Sequence, residues 1–142
     1  MKQRITASII LLFALVAISF REQNETEPPL ATVIKLESAE AVADFSYARS
    51  YIDVEKVYAN DEMAPEEAWK KMVMFHYNLS KDKRFSNTFP YYKYDITEKI
   101  KDKKSEVIFK SKDITGPIKA IIYKLDLVND KWIVVKIDYI KS

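Results

Sequence analysis

His76 is the only histidine in the chain, and there is no cysteine. Any histidine-dependent mechanism must therefore run through His76, while thiol nucleophiles, disulfides and thiolate metal sites are excluded. One histidine without cysteine is too little for a transition-metal site. The Asp113-Ile114-Thr115-Gly116 segment lacks the carboxylate spacing of a calcium loop, and a chain with a single glycine has no Gly-rich phosphate cradle. No metal and no cofactor is expected. A Ser-His-Asp triad would also need His76, and no serine sits in a nucleophile-elbow context.

The remaining candidates are carboxylates and aromatic rings. His76 falls on the apolar side of a helix, which suits a core or pocket-wall histidine and, as the catalytic alternative, a general base. Asp44 is the second candidate base, with Tyr94 as a donor to an enolate-like oxygen. Tyr91, Tyr92 and Tyr94 open a strand, where alternation sends Tyr92 and Tyr94 to one face and Tyr91 to the other. With Trp69 they are the candidate ligand-binding rings, suited to stacking on a small apolar or sugar-like molecule. Lys99, Lys101, Lys103 and Lys104 make a basic hairpin tip that can meet an anionic polymer or simply stay solvated and discourage edge pairing.

Helices should position the first of these groups. From Ser38, read as a cap, Ala41, Phe45, Ala48 and Ile52 recur at helical spacing, and Asp53 caps a short segment from Val54 to Ala59. Pro65 opens a third helix with Glu66 and Glu67 at its positive end. Ala68, Met72, Phe75 and Leu79 form its apolar stripe, flanked by Trp69, Val73 and His76 on a broad apolar face.

After Pro90 the period drops to two. Tyr92 to Ile100 and Val107 to Phe109 read as two strands joined at Lys101 to Lys104, and Gly116-Pro117 delivers the chain into a final hairpin, Ile118 to Ile140. A two-residue loop at Asn129-Asp130 would pair Leu125 with Val134. A three-residue loop, or a bulge with the same effect, would pair Tyr123 with Ile137 and unite the apolar stripes, with Lys124 set opposite Lys136. That second register is the expectation. Helices followed by a meander predict an α+β fold: N-terminal helices packed on a curved antiparallel sheet of about four strands.

The ends and the charge bear on compartment. Lys2 and Arg4 precede an apolar run from Ala7 to Ile18 that is short for a bilayer, and Ala17-Ile18-Ser19 offers small residues where a signal peptidase reads. Residues 1–19 are thus expected to be a signal peptide cleaved after Ser19, with an uncleaved anchor as the alternative, and the protein to be periplasmic or extracellular. Residues 20–37 read as a polar leader, with Leu30 to Leu36 open between strand and helix, and 38–142 as one domain. Nineteen lysines against four arginines, with so short a leader, read as bacterial. Without the first nineteen residues, basic and acidic side chains balance, but 20–80 carries −6 and 81–142 carries +6. The whole has no bulk attraction for nucleic acid or membrane, although one face can have it.

The Tyr51 to Ala59 stretch between helices, with Asp53 in it, and the terminal Lys131-Trp132-Ile133-Val134 strand resemble small secreted members of the nuclear transport factor 2-like superfamily. The likeness runs from about Ser38 to Ile140. It implies a cystatin-like cone with a pocket between helices and sheet, without fixing an activity. A cystatin-type inhibitor would call for a Gln-x-Val-x-Gly loop, which is missing. Three functions follow as expectations: an exported non-catalytic domain binding a small apolar ligand or an envelope protein; an isomerase or dehydratase using the pocket; or a structural, self-associating envelope domain.

Overall fold

The computed structural model describes residues 26–82, 86 and 88–142; the expected signal peptide and most of the leader lie outside them. Four helices, α1 (Pro29–Ala41), α2 (Phe45–Ala48), α3 (Val54–Val57) and α4 (Pro65–Ser80), precede a four-stranded antiparallel sheet. Its strands β1 (Tyr94–Lys101), β2 (Lys104–Ser111), β3 (Ile118–Val128) and β4 (Lys131–Lys141) lie side by side in chain order. The α+β architecture expected from the change of period is therefore the one observed. The helices cover one face of the sheet, where Val107, Phe109, Ile121, Tyr123, Leu125, Trp132 and Val134 join Val33, Leu36, Trp69 and Val73 in one buried cluster.

The first helix corrects the leader boundary. It begins at Pro29, nine residues before Ser38, because the Pro28-Pro29 step fixes the backbone for a first turn and Val33 and Leu36 then reach the core fully buried. Ser38 is an exposed mid-helix residue, not a cap. The expected Ser38–Ile52 helix is also split. At Ala43 (φ 56°) the chain turns left-handed; the Ala43 N–H donates to the Glu40 carbonyl and the Asp44 N–H to the Ala39 carbonyl, closing a Schellman-type end. Asp44 immediately caps α2 by accepting from the Tyr47 N–H at 3.0 Å, and Asp53 caps α3 as expected, accepting from Lys56 N–H. Between them Ile52 forms a parallel bridge with Val134, its neighbours exchanging backbone bonds with β4.

In α4 the buried residues are Ala68, Trp69 and Val73, with Phe75 and Leu79 exposed. The stripe is rotated by one residue from the expected one because Trp69 has the largest surface to hide and takes the central position. The final hairpin combines both proposed registers. Asn129 and Asp130 (φ 49° and 59°) make a two-residue loop with Leu125 opposite Val134; a shift at Val135 then sets Lys124 opposite Lys136 and Tyr123 opposite Ile137. The bulge restores the apolar stripe to the helix side.

Candidate functional site

Of the groups brought together under the helices, the sequence singled out His76 and Trp69; the carboxylates at the centre were missed. Val33, Leu36, Glu37 and Glu40 stand at i, i+3, i+4 and i+7 on α1, so two carboxylates ride on the helix face that packs against the sheet. Both sit in the second half of the helix, where the dipole offers a carboxylate no support. Glu37 accepts a short hydrogen bond from the hydroxyl of Tyr123 on β3. Glu40 accepts one at 2.6 Å from the indole N–H of Trp69 on α4. Each carboxyl keeps a part-exposed surface while lying deep among protein atoms, and depth sets its proton affinity.

Burial pushes the Glu40 carboxyl up to about 7; the nearby Glu37 carboxylate adds to the rise and the Trp69 bond opposes it. Glu37 is raised as well, again by burial, with the Tyr123 hydrogen bond pulling the other way. The surrounding phenols follow the same logic. Tyr139 on β4 is pushed up to about 12 by burial and then by Glu37 and Glu40. Tyr91 is pushed up to about 12 by burial and then by Glu37. Tyr58 and Tyr123 are raised by burial first, with Glu40 leading the charge effects on one and Glu37 on the other. The Tyr91 hydroxyl is buried without a hydrogen-bond partner among the described residues.

A cavity of about 80 Å³ opens beside this group, lined by Glu37, Glu40, Met72, Val73, His76, Ile137 and Tyr139. It has room for a few water molecules or one small head group. Its chemistry is acceptor-rich: two carboxyls, one imidazole and one phenol. Among the described residues no three acidic or histidine side chains are grouped so as to hold a metal ion.

Of the residues expected to act, His76 reaches the cavity wall, although it is exposed and edges Phe75 at 5.5 Å rather than sitting in packed core. Asp44 is exposed at the start of α2 and is used as its cap. Trp69 is fully buried, edge-on to Phe45 at 5.3 Å with the Arg49 guanidinium over its ring. Tyr91 to Lys93 form a 3-10 turn, so alternation starts only at Tyr94. Tyr94 therefore joins Phe89 and Phe109 on the core side, and Tyr92, 76% exposed, points away. His76, Asp44 and Tyr94 thus do not line one site. Glu37 and Glu40 were the missed pair, and the signal for them was the apolar spacing Val33, Leu36, Ala39, which continues α1 back through the supposed leader.

No protein-family model matches the chain, and no curated protein or solved structure matches it either.

Proposed function

We propose that this is an exported binding domain of the nuclear transport factor 2-like cone type. Its helix–sheet cavity captures a small amine-bearing molecule by its protonated head. One observation carries the reading: Glu37 and Glu40, both raised in proton affinity by burial, flank a cavity that also holds His76 and Tyr139. A buried carboxyl that holds a proton for want of a counter-charge gives it up when a cation arrives, and phenol faces add cation–π attraction. The acceptor-rich wall favours such a head over the wholly apolar ligand suggested by the tyrosines. Export rests on the basic start and the short apolar run of the first nineteen residues, and no helix among the described residues is long and apolar enough to cross a membrane.

Titration calorimetry with methylammonium and butylamine at about pH 7, in two buffers of different ionisation heat, tests it. Binding should release protons, and Glu40→Gln should abolish both the heat and the release. Absence of heat and of any thermal shift across an amine panel would refute it.

A second reading, proton transfer of the isomerase kind, draws on the same Glu40, whose affinity for a proton lies where a general acid–base works best. The small cavity weighs against it, since a substrate must fit alongside the base.

A further inference from the structure

The sheet face turned away from the helices carries its own pattern. An antiparallel sheet packed on one side ordinarily shows polar residues on the other. Here the cross-strand rows on that side read Thr97–Ile108–Ile122–Asp138 and Asp95–Lys110–Ala120–Ile140, with Ile133 and Val135 nearby on β4. Ile108, Ile122, Ile133 and Val135 are half-buried by their neighbours alone, and Ile140 is exposed. Lysines flank this apolar centre toward the β1–β2 hairpin tip. Lys56, Lys99, Lys101, Lys104, Lys124 and Lys136 line an open groove of about 560 Å³ against two carboxylates, Glu106 and Asp126.

Two of the lysine pairs stand directly opposite each other across strands, Lys101 with Lys104 and Lys124 with Lys136. Like charges in that position are destabilising. Asp138 relieves only the second pair, at 3.4 Å from Lys124 and 2.9 Å from Lys136. Lys104 also faces Asp126, and Glu106 lies between Lys99 and Lys124, so six lysines meet three carboxylates and the face keeps an excess of positive charge that an external anion would offset. Overall neutrality hides it, because the opposing charge sits in the helical half.

We propose that this face docks on an anionic lipid surface. A soluble polyanion would satisfy the lysines but leave the isoleucine centre without a partner. A nucleic acid would look for stacking rings, and none of the rows on this face carries one. A lipid surface answers both parts, since lysine stems lie over apolar surface while their ammonium groups reach phosphate.

Flotation of the full chain with phosphatidylcholine vesicles, with and without about 30% phosphatidylglycerol, tests this at low and high salt. Anionic vesicles should retain the protein at low salt and release it at about 0.5 M. Lys99→Glu/Lys101→Glu/Lys104→Glu should weaken retention by at least about tenfold. Ile122→Gln should weaken it too, with Lys101→Gln/Lys104→Gln as a milder pair should the triple variant fold poorly. The apolar N-terminal run is common to all variants, so retention unchanged by every one of them would place binding there and overturn the proposal. Binding to inorganic polyphosphate with no vesicle retention would overturn it, as would sedimentation showing that the lysine variants dissociate an oligomer while vesicle retention is untouched. Amine binding in the cavity is unaffected by any of these outcomes.

Discussion

Glu37 is held by a single phenol. The Tyr123 hydroxyl is its one hydrogen-bond donor among the described contacts, and both groups lie where water is scarce. Tyr123→Phe keeps the ring against Phe109 but leaves the carboxyl without that donor, at an expected cost of about 1–3 kcal/mol. The loss should show as a lower urea midpoint at unchanged slope and should grow as pH rises, because an ionised Glu37 needs the donor more than a protonated one. A loss that does not change with pH would mean that the carboxyl takes the donor equally in both of its forms. At this scale the sequence was readable for one cap, Asp53, but not for Ser38, which lies mid-helix, nor for Asp44, expected as a base, and it was unreadable for depth. Asp53 declares itself by its place before Val54, and Asp44 serves as a cap in the same way. Nothing in the identity of Glu40 says that Trp69, from a helix 29 positions later, will donate to it. Its chemistry comes from burial, which is a property of the assembled layers.

Elements are set by how the chain stops as much as by how it repeats. Residues other than glycine take left-handed backbone at Asp102 in the β1–β2 turn and at two further stops, Ala43 after α1 and Asp130 with Asn129 in the last hairpin. Both geometries favour glycine, at the end of a Schellman motif and at the second position of a type I′ loop. Ala43→Gly and Asp130→Gly should each therefore stabilise the fold by about 0.5–1 kcal/mol, seen as a higher melting temperature, with the gain reduced by the looser unfolded chain. A drop in melting temperature for Asp130→Gly would mean that its carboxylate does more in the turn than occupy a conformation. The same stops explain what periodicity missed. The Ala41-to-Ile52 spacing is helical on paper, but the left-handed turn at Ala43 interrupts it, and Ile52 is drawn into a bridge with Val134. The strands were legible because their alternation is reinforced by cross-strand neighbours. The bulge at Val135 was legible only as a need, since the apolar stripes on β3 and β4 could not otherwise share a face.

For the molecule as a whole, the titrating groups divide into two sets with opposite linkage. Asp113 and Asp138 are held below the usual carboxylate range, Asp113 by Thr115 and Asp138 by Lys136 first and then Lys124. Their stabilising contribution is present above 3.8 and is lost as pH falls through their lowered folded values. Glu37 and Glu40 work the other way: their folded carboxyls bind protons more tightly than the ordinary 4.5, so stability is greatest below that value. It is lost as pH rises, for Glu40 through about 7. Stability should therefore peak near about pH 4–5, decline to about pH 8 and then level, in contrast to the neutral optimum common among proteins. Glu40 alone would account for up to about 3 kcal/mol of that decline, or about 10 °C in melting temperature for a domain of this size. Glu40→Gln, which can still accept from Trp69, should flatten most of the slope and raise the melting temperature at pH 8. Saturating methylammonium should do the same for the unaltered protein by supplying the missing positive charge, and should have less effect at pH 5, where Glu40 already holds its proton. A melting temperature that climbs from pH 5 to pH 8 would show that the carboxyls titrate normally, and the amine reading would fall with it.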